Sequence, residues 1–260
     1  MDEIIKDFSD IKEVKAIALG GSAGSANTQD SLSDYDIYIF SDEPVPVKVR
    51  GEIAKRYSDN YEIHNTFYGD GDEWFRRTDD RVFDLMFWNR KWIEDIINNI
   101  WFRHDAWGGY TTAFLYTVKN ASVLYDTQDW FKNLQEKLNT PYPKELANNI
   151  VLKNRLMIKD KISASFKEQI EKAVKRNDVV SINHRITAFL AGYFDIIFAV
   201  NKILHPGEKR LIPFALKNCT LLPADFEKNI TDLCCAQDKL TPLNEICKNL
   251  DNFLKQNRYI

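Results

Sequence analysis

With 260 residues, 44% of them hydrophobic and 28% charged, the chain can bury one large core or two modest ones and is too apolar to be disordered. Its formal charge of −3, with Lys and Arg scattered among acids, gives no support to a basic face for a phosphate backbone, so a nucleotide or other small molecule is the expected partner and nucleic acid is not. The opening residues lack a signal-peptide pattern, and the longest apolar run, 186–204, is broken by Asp195 and Lys202. With no Cys-x-x-Cys pair, Cys219, Cys234, Cys235 and Cys247 read as reduced, and the expected setting is cytoplasmic, with no membrane span. Oligomeric state is not legible.

In chain order, Ile4, Ile5, Phe8 and Ile11 recur at helical spacing. A β-rich run follows over Val14 to Leu19, then a small-residue loop over Gly20 to Ser33 and a strand over Tyr35 to Phe40. Residues 47–57 suit a helix, and Tyr61 to Tyr68 and Val82 to Trp88 suit two further strands joined by a polar connection. After Pro141 and Pro143, helical patterns cover 145–176, 179–204, 223–236 and 241–257, with Pro206-Gly207 and Pro213 marking a loop. These elements predict an α+β chain: a domain over 1–140 with a small mixed sheet and flanking helices, and a helical bundle over 141–260.

Chemistry concentrates where Gly20-Gly21-Ser22 closes the first strand and Asp34-Tyr35-Asp36 opens the next. Alternate strand residues share a face, so Asp34 and Asp36 present two carboxylates side by side while Tyr35, Ile37 and Ile39 turn toward a core. Carboxylates this close raise each other's proton affinity unless a cation lies between them. Mg²⁺ takes oxygen ligands and keeps positions open for phosphate. Glycines at 20 and 21 allow close backbone approach, and Ser22 can donate to the same phosphate or simply cap a helix.

Gly21-Ser22 followed by Asp34-Tyr35-Asp36 resembles the signature of the DNA polymerase β-like nucleotidyltransferase superfamily. Looser segments are similar to its bacterial small-molecule branch, whose better-understood members adenylylate aminoglycosides or lincosamides. Those segments are His104-Asp105, Gly109 to Phe114, Leu124-Tyr125-Asp126, Tyr193-Phe194-Asp195 through Asn201, and His205 to Arg210. The resemblance implies a third carboxylate on a later strand. Asp84 fits that place because it interrupts the apolar run 82–88, whereas Asp79 and Asp80 lie in the polar connection. It further implies two Mg²⁺ ions held by Asp34, Asp36 and Asp84, and a nucleoside triphosphate, ATP by preference. A small-molecule hydroxyl would attack the α-phosphate in line, releasing pyrophosphate, and the helical domain would bind the acceptor. Gly21, Ser22 and Lys209 are the expected phosphate contacts, Lys209 with the alternative of an ordinary solvated base.

Other features have blander readings. His64, His104-Asp105 and Asp126 mimic in order the ligands of metal-dependent phosphohydrolases, but that site needs an all-helical scaffold and His64 sits in a strand-like run. Asp195, inside an apolar helix, needs a buried partner. Trp74, Trp88, Trp92 and Trp107 suit core or rim packing, with stacking on a base or sugar as the alternative. A second function from another class is an NTP-binding regulator or toxin–antitoxin component that nucleotidylates a protein.

Overall fold

A computed structural model describes residues 1–21, 34–67, 69–159 and 165–260. The chain divides into two compact units, residues 1–98 with 114–140 and residues 99–113 with 141–260. The architecture is α+β, with the sheet in the first unit and helices dominating the second.

The first unit runs α1 (Asp2–Ser9), β1 (Val14–Leu19), β2 (Tyr35–Ser41), α2 (Val47–Tyr57), β3 (Ser58–Asn65), β4 (Gly71–Arg76), β5 (Val82–Asn89), α3 (Arg90–Ile97), α4 (Ala113–Asn120), β6 (Ser122–Asp126) and α5 (Trp130–Lys137). Among the described residues the sheet has six strands in the order β3-β4-β5-β2-β1-β6. Among the described residues only β2 and β5 pair in parallel. Period-two alternation divides β2 and β5 cleanly. Ile37, Ile39, Phe83 and Leu85 join Trp74, Ile4, Phe8 and Ile53 in the core on one face. Phe8 stacks on Trp74 at 5.8 Å. Each such fully buried side chain contributes about 2 kcal/mol by leaving water. On the other face Phe40 packs against Trp88 and Phe131, and Trp88 against Phe114.

The expected polar connection between strands contains β4, whose Gly-Asp-Glu-Trp-Phe-Arg sequence hides its burial. Asp72 is buried because fully buried Arg50 of α2 reaches it through Nε at 3.0 and 3.1 Å. The same guanidinium bonds Asp70 at 2.8 Å and lies over Phe87 at 3.9 Å. That tie between α2 and β4 leaves no trace in local periodicity. β3 also begins earlier than expected and ends at Asn65, and Tyr68 lies outside the described residues.

The second unit contains α6 (Lys144–Ile158), α7 (Phe166–Lys175), α8 (Val179–Val200), α9 (Leu211–Asn218), α10 (Phe226–Cys235) and α11 (Leu240–Gln256). The one helix expected over 145–176 is therefore two. Lys159 turns extended at φ −152° and ψ 113°, and Ser165 starts α7 by accepting the Glu168 N–H. Pro213 does not mark a loop: it occupies the first turn of α9, where its missing N–H has no partner to lose. α8 is capped by Asp178, begins with exposed Val179 and Val180, and is buried from Gly192 to its end. Among the described residues no helix is long and apolar enough to cross a membrane. The four cysteines are free.

Candidate active site

β2 and β5 set the site. Their parallel register places Asp36 beside Asp84, then Tyr38 beside Met86 and Phe40 beside Trp88. Directly paired residues of a parallel ladder point to the same face. The two carboxylates therefore lie side by side, both half-buried, on the face opposite the Ile37–Leu85 core. Along its length this face grades from acidic to aromatic.

The glycine turn is moulded to the same face. The Gly20 N–H donates to the Asp36 carbonyl at 2.8 Å. A Cβ on Gly21 would fall 1.7 Å from Asp36 Oδ2, and its φ is +61°, so space and backbone both require glycine. A Cβ on Gly20 would fall 2.4 Å from Tyr38 Cε2. Tyr38 registers both charges. Burial first, then Asp36 and more weakly Asp84, hold its phenol protonated well above the usual range, against a small opposing pull from the Thr117 hydrogen bond.

Asp34 is exposed and immediately precedes β2. Among the described residues no three His, Cys, Asp or Glu side chains are gathered at metal-holding separation. Two of the three expected carboxylates are thus neighbours, and Asp34 is not gathered with them. Paired anionic oxygens beside a turn without side chains are a donor set suited to a hard divalent cation. Ser22 lies outside the described residues. Lys209 is exposed in the second unit, after the Gly207 turn (φ +104°) and just before α9.

The phosphohydrolase-like residues have separate local partners. His64 Nδ1 meets Asp70 at 3.0 Å and His104 Nδ1 meets Glu145 at 3.0 Å. Asp126 accepts the Phe131 and Lys132 N–H groups at 2.9 Å, holding the start of α5. Trp74 is core, Trp88 belongs to the aromatic layer, and Trp92, 41% exposed, packs edge-on against Trp88 and Phe114. The Trp107 N–H donates to Thr111 Oγ1 at 2.9 Å.

Asp195 finds its buried partners within the second unit. Its carboxylate accepts the Thr111 N–H, the Thr111 hydroxyl and Asn154 Nδ2. Asn154 Oδ1 also accepts the Gly109 N–H at 2.9 Å, and Thr112 Oγ1 accepts the His205 N–H at 2.8 Å. Sequence reasoning named Thr111, Thr112 and His205 only within segments of a resemblance and missed Asn154; the role of all four appears only in their long-range pairing. Tyr38 was discoverable, because it shares strand parity with Asp36.

A family described as a domain of unknown function, DUF4037, matches residues 107–211, less than half of the chain. No curated protein matches the chain in sequence. Among solved structures, a nucleotidyltransferase-like protein from Exiguobacterium sibiricum 255-15 is similar at 11% identity and a TM-score of 0.48, covering 98% of this chain and 73% of its own. Spectinomycin adenyltransferase AAD(9) from Enterococcus faecialis, with ATP and spectinomycin, is similar at 14% identity and a TM-score of 0.31, over 96% of this chain and 98% of its own. The STING-associated CdnE c-di-GMP synthase from Capnocytophaga granulosa is similar at 12% identity and a TM-score of 0.28, over 99% and 79%.

Proposed function

We propose that the chain transfers a nucleoside monophosphate, AMP from ATP by preference, to a hydroxyl of a small-molecule acceptor and releases pyrophosphate. The observation that carries this reading is the in-register pair Asp36 and Asp84 beneath the Gly20–Gly21 turn. Two carboxylates on one sheet face repel each other, and a divalent cation relieves that repulsion while leaving positions for phosphate oxygens.

Asp36 and Asp84 would hold Mg²⁺, with Asp34, exposed just before β2, turning in to join them when the ion binds. When bound, Mg²⁺ supplies positive charge beside the α-phosphate and acidifies the acceptor hydroxyl. Asp84 takes the hydroxyl proton on a carboxylate oxygen. The acceptor oxygen bonds to the α-phosphorus as the bond to the bridging β-phosphate oxygen breaks, and the electron pair leaves with pyrophosphate. Gly21, lacking a side chain, lets the phosphate approach the backbone.

The test incubates the purified protein with ATP, Mg²⁺ and a panel of small hydroxyl compounds, aminoglycosides among them, and measures pyrophosphate release. Asp34→Asn, Asp36→Asn and Asp84→Asn are each expected to lower release at least about a hundredfold with an unchanged circular dichroism spectrum, since each removes a charge the transition state uses. Retention of more than about a tenth of the activity by all three overturns the assignment. Transfer of label to a protein rather than to a small molecule assigns the chain to the regulatory alternative.

A further inference from the structure

We infer that Tyr38 is the positioning residue of the acidic pair, its ring holding the Gly20–Gly21 turn and the Asp36 carboxylate in place; this rests on reading Asp36 and Asp84 as the metal site. Tyr38 lies two residues beyond Asp36 on β2 and so shares its face. The Cβ volume of residue 20 is taken by the Tyr38 ring, and that of residue 21 by the Asp36 carboxylate. Two consecutive glycines thus lie against two alternate side chains of one strand. A turn moulded this way cannot shift without displacing one of them.

The ring is itself held from two other sides. Its centroid is 4.6 Å from that of Trp88, which stands on β5 with the same parity as Asp84. Its hydroxyl bonds the side chain of Thr117 on α4. Strand β5, helix α4 and the glycine turn therefore converge on one aromatic side chain. An aliphatic residue could fill the volume, but it would lack the flat surface that Gly20 lies on and the polar tip that fixes it. Carboxylates that repel each other hold their shared geometry only if their surroundings impose it, which is the work of the groups around a metal's own ligands.

The test measures Mn²⁺ affinity by electron paramagnetic resonance on the full chain, with circular dichroism and melting in EDTA as fold controls. Wild type is expected to bind Mn²⁺ and Asp84→Asn to lose it. Tyr38→Ala is expected to weaken binding about tenfold or more, and Tyr38→Phe, which keeps the ring, to stay within about threefold. Gly20→Ala is expected to weaken binding when Tyr38 is present and to add nothing in the Tyr38→Ala background, where the ring it would strike is gone. If Tyr38→Ala does not fold, Tyr38→Leu, which keeps most of the volume, carries the same comparison. Wild-type affinity in the folded Tyr38→Ala or Tyr38→Leu protein, or additive losses for the two substitutions, overturns the role of Tyr38 and leaves the metal site standing. A wild-type chain that binds no Mn²⁺ overturns the metal site and this inference with it.

Discussion

The Asp195 carboxylate takes both donors of Thr111, the backbone N–H at 3.1 Å and the hydroxyl at 2.6 Å, so a buried point on α8 holds residues 107–112. Burial pushes the Asp195 carboxyl up to about 7, although the Thr111 and Asn154 hydrogen bonds pull the other way. Between its ordinary 3.8 and about 7, the folded chain holds a proton at Asp195 that the unfolded chain has released, so this group's contribution falls as pH rises through that window. His205 has the opposite sign. Burial lowers it from 6.5 to about 4, so its contribution is lost as pH falls through that range. The two slopes oppose each other where the windows overlap. The stability of Asp195→Asn relative to wild type is therefore expected to climb with pH, and that of His205→Phe to fall, each by up to about 1.4 kcal/mol per pH unit. Calorimetric melting of the three proteins between about pH 4.5 and 6.5 checks this, and parallel curves would refute it.

Gly21→Ala places a methyl group into the Asp36 carboxylate and forces φ +61° on a residue that avoids it. The backbone alone costs about 1–2 kcal/mol. The expected result is a lower urea midpoint together with loss of Mn²⁺ binding. A loss of stability with binding intact would show that the turn moves independently of Asp36.

Asp84→Asn removes one of two like charges placed in register. In EDTA the substituted protein is expected to be more stable than wild type by about 1 kcal/mol, because one of the two like charges is gone. In Mg²⁺ the order is expected to reverse, since only wild type gains from the ion. Paired melts with and without Mg²⁺ read both effects, and an unchanged order in the two buffers would count against ion binding at this pair.

Several elements were open to reading from the chain alone. The limits expected for β1 and α2 match those observed, since the apolar run 14–19 and the helical spacing over 47–57 have nothing competing with them. Asp34 and Asp36 could be singled out by their alternation after Gly20-Gly21-Ser22, and Asp84 because a carboxylate among Val, Phe and Leu stands out against its neighbours. β4 could not: Asp72 reads as a loop residue until Arg50, 22 positions earlier, is seen to bury it. The break after α6 was hidden because the apolar spacing resumes at Ile170 as though the helix continued. The Thr111–Asp195 bond joins residues 84 positions apart, and no local pattern encodes such a pairing.

Arg50→Met leaves Asp70 and Asp72 without their shared cation. Removing one partner from a buried ion pair is expected to destabilise the first unit by about 3–5 kcal/mol. Replacing Asp72 with Leu in the same chain is expected to recover part of that loss. Urea titration followed by tryptophan fluorescence measures both, with Trp74 on β4 as the local reporter, and a double variant weaker than the single one would sink the ion-pair explanation.

The in-register acids also bear on how the sheet assembles. Side chains alternate with a period of two, so sliding β5 past β2 by a single residue would swing Asp84 into the interior beside Ile37 and Trp74 and expel Phe83 and Leu85 to the outside. A misaligned chain would bury a bare charge, the most heavily penalised error a strand can make. The carboxylates proposed to grip an ion would thus also penalise every odd-numbered slip of the two central strands.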